Sequence, residues 1–255
     1  MQQQMVDAGR DMAGRHLQVV EHIHLGAAPE ITTQVIGHAV CLQTGRHIGL
    51  AAAFYVFAAY GFTIWGATFL IRVHGLTLTQ TGLFMGLVQG LGGGLGTFAG
   101  GLLADRFAGR DPRFLCWIPA LGGLLALPLL VVFLFAPTAP LALVGYAPAM
   151  VFALFFVGPT YALVQSLARL RMRAQAAALV LLTMNLIGLG VAPLVVGALN
   201  DALSQRFGDE AVRYSLLATA ATSIWAAIHS LLAARSVRAD LAAMSTGATA
   251  AQPLV

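Results

Sequence analysis

Lysine is absent from this chain: all fourteen basic residues are Arg. Charge of either sign is scarce. Charged residues make up 9% of the 255, against 58% hydrophobic, and the mean hydropathy is +0.81. An ordinary soluble domain carries charge on about a quarter of its residues, so that class is excluded. The Arg residues stand in short stretches between apolar runs and form no continuous basic face, so no nucleic-acid partner is expected. Cysteine is nearly missing as well. Cys41 and Cys116 fit neither a disulfide framework nor a metal-binding spacing. There is no nucleophile elbow, no zinc-protease signature and no pair of intramembrane carboxylates. Gly92-Gly93-Gly94 lies in an apolar run without the Lys-Ser or Lys-Thr of a phosphate loop. The chain is therefore read as no enzyme, with no cofactor and no metal.

Residues 1–46 lack long apolar runs and sustained periodicity. No apolar core precedes a small-residue cleavage site, so they are not read as a signal peptide. They are expected to form a polar, partly ordered cytoplasmic segment. Most of the histidines cluster there or at its edge: His16, His22, His24, His38 and His47. His22-x-His24 has the look of a metal pair, but no Cys or carboxylate cluster completes a tetrahedral set.

What the sequence does contain is six apolar stretches, at about 49–71, 79–104, 114–136, 141–165, 174–199 and 214–234. A hydrocarbon core of about 30 Å needs about 20 helical residues, and lipid leaves only helices or closed barrels for backbone satisfaction. Barrel alternation is absent. The expected fold is an all-α membrane protein, with residues 47–236 as a six-helix transmembrane bundle. Residues 237–255 are read as a disordered cytoplasmic tail. Internal prolines such as Pro119, Pro128 and Pro159 are tolerated in membrane helices.

Arg placement sets the orientation. Arg106, Arg110 and Arg113 share one loop, Arg169, Arg171 and Arg173 another, and Arg46, Arg235 and Arg238 flank the first and last stretches. These positions alternate with Arg-poor loops. The positive-inside rule therefore places them, and both termini, in the cytoplasm of a multi-pass protein of the cell membrane. The third stretch is almost wholly apolar and is expected at the lipid-facing periphery. The second and fifth, richer in glycine and amide, are expected inside.

The second stretch and its loop carry most of the pattern. Gly82, Gly86, Gly90 and Gly94 form one four-residue ladder, and Gly92, Gly96 and Gly100 a second. Such ladders let another backbone approach, either as fixed packing or as a sliding contact. The end of this stretch, Gly101-Leu-Leu-Ala-Asp105, is echoed by Gly197-Ala-Leu-Asn-Asp201 at the end of the fifth. Three stretches followed by three of opposite topology, with a motif in corresponding places, are what two inverted three-helix repeats leave behind.

Residues 100–111, GGLLADRFAGRD, resemble the loop between paired helices of the major facilitator superfamily. The runs 158–179 and 185–201 resemble its Spinster-like branch. The likeness covers about 48–241 and fits the C-terminal six helices of a twelve-helix transporter, half of that fold. It implies that Gly101, Asp105, Arg106 and Arg110 are the loop motif. Ala108 and Gly109 stand where the family more often has Gly and a basic residue. In this reading Asp105 either pairs and caps at a cytoplasmic gate or anchors the loop at the headgroups. Tyr60, Gln89 and Asn185 are the candidate residues of a substrate-cavity wall, or else interhelical hydrogen-bonding groups. No Asp, Glu or Arg lies near mid-span, and the candidate ionisable group for the pathway is His229, towards the end of the sixth stretch. The resemblance implies that coupling carboxylates belong to the other half. The expected function is transport of a small solute by a secondary carrier, with a lipid, sugar or organic anion as substrate. The other six helices would come from a partner chain, or their place would be taken by a second copy in a homodimer. The alternative is a non-transporting membrane scaffold, or a degenerate fragment of a carrier.

Overall fold

The structure, a computed structural model, describes residues 42–250. The expectations for His16, His22, His24, His38, Cys41 and most of the 1–46 segment lie outside the described residues. Among the described residues all regular structure is helical. Five helical segments are long and apolar enough to cross a membrane, by length and composition. They are α1 (Gln43–His74), α2 (Leu78–Ala108), α3 (Phe114–Phe135), α4 (Ala139–Ser166) and a continuous run, Arg173–Met244. That run turns at Gly208, whose φ of 55° and ψ of −131° suit only glycine. Its two arms are α5 (173–207) and α6 (Ala211–Ala250), which pack on each other.

The helix ends follow from local chemistry. Gly75 adopts the left-handed conformation after α1, and its N–H and that of Leu76 return to Ile71 and Leu70. Thr77 then opens α2 with a capping box: its backbone N–H donates to Gln80 Oε1 (3.0 Å), and Gln80 N–H donates to Thr77 Oγ1 (3.3 Å). Within α4, Pro159 cannot donate to the carbonyl four residues back. The helix loosens into a turn just before it, where Phe155 and Val157 bond only three residues back, to Phe152 and Leu154.

Both α2 and α5 contain a wider π turn, at Val88–Gly92 and Leu186–Val191 respectively. Laid on one another without a gap, Gln89, Gly92, Gly94, Gly101 and Asp105 of α2 fall on Asn185, Gly188, Gly190, Gly197 and Asp201 of α5. Their packing corresponds too. Cβ atoms added at Gly96 and Gly100 would run into Val151 and Phe155 of α4, and one at Gly92 would touch Ala147 and Met150. Those added at Gly188 and Gly197 would run into Val56, Tyr60 and Trp65 of α1. Helices α1 and α6 run antiparallel: Thr44 meets Ser236 and Asp240, Tyr55 meets Ser230, and Gly61 faces Thr219.

One sequence expectation is corrected and two are narrowed. Helix α3 buries one face and exposes the other, at Leu121, Leu124, Val131 and Val132. Half of its apolar span is buried, against a third for α2, and both α4 and α6 pack on it. An all-apolar stretch says nothing about which side is covered; Gly122 and Gly123, which admit Phe152, Phe155 and Tyr55, decide it. Helix α2, expected inside, exposes Leu83, Leu87, Leu91 and Leu95 within this half-length bundle. Finally, residues 237–250 are helical, not a disordered tail. Val237 is fully buried, and Asp240 accepts a hydrogen bond from the Thr44 backbone N–H (2.9 Å). The run from Arg235 to Met244 contains neither proline nor glycine, so nothing local stops α6 there.

Candidate functional site

The motif residues Gly101, Asp105, Arg106 and Arg110 occupy the end of α2 and the turn into α3. Gly101 lies at a backbone crossing: a Cβ on Gly158 of α4 would sit 2.9 Å from its Cα. A side chain on Gly158 would push the two helices apart. Asp105, Arg106 and Arg110 are exposed, and among the described residues none of them has a hydrogen bond or ion pair from its side chain. Within this bundle the carboxylate therefore neither caps a helix nor pairs with its own loop.

The ionic tie of this loop falls instead on Asp111, which the sequence reading did not single out. Arg238 of α6 approaches it in bidentate fashion, Nη2 to Oδ2 at 2.6 Å and Nε to Oδ1 at 3.1 Å, and the Arg113 backbone N–H also donates to Oδ1 (3.0 Å). The Arg238 guanidinium, helped by that N–H, holds the Asp111 carboxyl below the usual carboxylate range. No local spacing links Arg238 to Asp111. Only the return of α6 to the Arg-rich end brings them together. The same return sets Asp240 on the first turn of α1, where the helix N-terminus favours an anion.

The three candidate cavity residues do not form one cluster. Tyr60 of α1 packs against Gly188, in the π turn that Asn185 precedes. Tyr161 of α4 donates from its hydroxyl toward the Met184 sulfur of the same region (3.9 Å). Asn185 itself donates to the Leu181 carbonyl one turn back (2.8 Å). Gln89 lies in the other π turn, whose glycine face packs on α4. Among the described residues no side-chain hydrogen bond joins any two of the three. Trp117 packs edge-on against Phe114 at the Arg-rich end of α3, and Tyr214 against Phe207 and Phe135 at the other end of the bundle.

A feature without a sequence signal is a cavity of about 590 Å³ between the start of α1, the end of α4 and the first half of α5. Its walls are largely apolar, with Ala53, Leu167, Met172 and Val180 among them, and they include Arg46 and Arg169. Both guanidinium groups belong to exposed residues, and among the described residues neither has a carboxylate partner. Such a space accepts an apolar body with an anionic end. No three His, Cys, Asp or Glu side chains converge among the described residues.

No protein-family model matches the chain. It is 35% identical over 190 residues to an MFS-type efflux pump of Mycolicibacterium smegmatis, a match covering 74% of this chain and 44% of the pump. Among solved structures it resembles a bacterial homolog of the human lysosomal transporter Spinster. In the inward-facing, unoccupied conformation the TM-score is 0.73 at 24% identity, over 82% of this chain and 51% of that one. In the inward-facing, occupied conformation the values are 0.67 and 25%, over 78% and 50%. The chain spans about half the length of the proteins it matches. An all-helical, multi-pass membrane fold that overlays half of a Spinster homolog, together with the sequence match to an efflux pump, makes the chain a member of the major facilitator superfamily, with the fold of half a Spinster-like transporter.

Proposed function

We propose that this chain is the C-terminal half of a secondary carrier that moves a small amphipathic anion across the cell membrane. The observation that carries the reading is the half-length match to a pump and to a transporter fold. In this reading the chain crosses the membrane six times, with α5 and α6 as separate crossings. The Arg-rich loops and both termini lie in the cytoplasm, as the positive-inside rule requires. Helices α1–α3 and α4–α6 are two inverted repeats, supported by the matching registers of α2 and α5 and by the reciprocal packing of α2 on α4 and α5 on α1. Gly101, Asp105, Arg106 and Arg110 act at the cytoplasmic gate, with partners on the other half. The exposure of the three charged residues and their lack of partners within this bundle fit that role. Tyr60 and the residues around the Asn185 turn form one wall of the substrate path, and Gln89 its counterpart on α2. Of a lipid, a sugar and an organic anion, the cavity with Arg46 and Arg169 favours a substrate with an apolar body and a negative end.

The remaining six helices come from a partner chain or a further segment. The test is uptake into proteoliposomes holding this chain together with a chain supplying the first six helices, with amphipathic anions, sugars and neutral lipids as substrates. Saturable, gradient-driven uptake of an amphipathic anion is expected, lost when Arg46 and Arg169 are both changed to Gln. Assembly of the two halves without any uptake would favour the scaffold reading instead.

A further inference from the structure

His47 of α1 and His229 of α6 meet across the antiparallel pair of helices, with their Nδ1 atoms 3.0 Å apart and their ring centroids 5.3 Å apart. Both residues are half-buried, so the rings are held by their neighbours without being sealed off. Phe54 lies parallel to the His229 ring at 6.2 Å and Trp225 meets it edge-on at 6.4 Å, which fixes that ring's plane. The other charged group acting on the pair is Arg46, on α1. Tyr55 and Ser230, hydrogen-bonded to each other, lie on the buried side of the same two helices. Of the acids at this end, Asp111 is engaged by Arg238 and Asp240 accepts from the Thr44 N–H, while Asp105 lies exposed at the end of α2.

We propose that His47 and His229 form a proton-binding site in which the two imidazoles share one hydrogen bond and take up protons one after the other. The chemistry follows from the contact. In the neutral pair one ring donates its Nδ1–H to the lone pair on the other ring's Nδ1. A first added proton lands on the free Nε2 of the donor ring. That ring becomes an imidazolium, and the hydrogen bond survives, now charge-assisted. A second proton, once the other ring's Nε2–H is counted, has only the acceptor Nδ1 left to occupy. Placing it there breaks the bond and sets two cations face to face between α1 and α6. The pair therefore holds the first proton at least about tenfold more tightly than the second, the regime in which the steps belong to the pair and not to either residue. Double protonation loosens α1 from α6 beside the Asp240–Thr44 and Ser236–Thr44 contacts. In the carrier reading, on which this inference rests only for its purpose, the pair gives this half a titratable group of its own.

The test is a pH titration of the 255-residue chain in lipid nanodiscs, with ¹⁵N-labelled histidine read by NMR. The single variants His47→Gln and His229→Gln supply assignment, and far-UV circular dichroism checks folding. In the unmodified protein the two rings should titrate in linked steps at least about one pH unit apart, and each variant should reduce the remaining ring to a single step at a changed midpoint. Should a variant fail to fold, the two-step titration of the unmodified protein decides alone. Rings that titrate independently, with midpoints unmoved by loss of the partner, overturn the proposal. Since the readout is proton binding and not flux, a failure of transport leaves this result standing, and the reverse also holds.

Discussion

Two aspartates near the same turn behave differently, and the difference is a matter of partners. Asp111 is engaged by Arg238 and by a backbone N–H, while Asp105, on the last turns of α2, has no partner among the described residues. Asp111→Asn should lower the thermal midpoint of the bundle at about pH 6, and it should raise amide exchange at residues 235–240, where α6 loses its tie to the loop. The carboxyl's folded pKa is depressed. Its contribution is therefore complete above the unfolded value of about 3.9 and is lost as pH falls through the lower folded value. The gap in midpoint between the unmodified protein and the variant should narrow as pH falls from about 6 to about 3; equal midpoints at the higher pH would mean the pair contributes nothing. Asp105→Asn should leave the midpoint of the lone chain unchanged. In an assembled carrier it should increase labelling of cysteines placed in the cytoplasmic half of the cavity. If accessibility and uptake are both unaltered there, Asp105 is a loop anchor. The motif made Asp105 legible in the sequence. Asp111 and Arg238 were not, because the contact depends on where α6 ends, and α6 continues as helix well past the expected boundary at 236.

Glycine does two jobs in α2, separated by face. Gly92, Gly96 and Gly100 are filled by α4: a Cβ on Gly96 would overlap the Val151 carbonyl, and one on Gly100 that of Phe155. Gly82, Gly86, Gly90 and Gly94 have nothing within 4 Å of an added Cβ, and beside them Leu83, Leu87, Leu91 and Leu95 are exposed. Both ladders stood out in the sequence, since a spacing of four marks one helix face. Which ladder packs inside the chain could not be read, because period alone does not say what lies opposite. The same limit hid which face of α3 packs, since its apolar surface looked uniform while Gly122 and Gly123 made one face a packing surface. Gly96→Val should destabilise the lone bundle by about 1–3 kcal/mol or prevent its folding, the usual cost of forcing atoms into a filled contact. Gly86→Val should leave it within about 0.5 kcal/mol, as changes at sites without contacts do. Reversible unfolding in mixed micelles measures both, and equal effects would show that the two faces are not distinct.

At the scale of the whole molecule, the legible part was the class of fold: apolar stretches of spanning length, Arg-rich loops at alternate positions and one echoed motif. Orientation is checked with single cysteines in a background lacking Cys41 and Cys116. Gly109→Cys should resist an impermeant thiol reagent on intact cells and Asp209→Cys should react; the opposite pattern would invert the topology. Gly208 is a poor choice for the second site, because its backbone geometry rejects a side chain. The same view of the molecule predicts that the lone chain does not transport. Alternating access needs two bundles rocking about a shared site, and in the carrier reading this bundle holds the walls of only one side. The open ladder on α2 and the exposed Leu181, Leu186, Leu189 and Leu194 on α5 leave uncovered surface in corresponding places on the two helices. In lipid alone, such glycine-lined, uncovered faces favour association with another bundle over solitary function. A second copy of this chain could cover them, but it would bring no mid-span carboxylate that the first copy lacks. Purified chain in proteoliposomes, given a proton gradient and the substrates above, should therefore show no saturable uptake, whatever its oligomeric state. Gradient-driven, saturable uptake by the 255-residue chain alone would refute this, and would require the homodimer to build a complete path from two copies of the same wall.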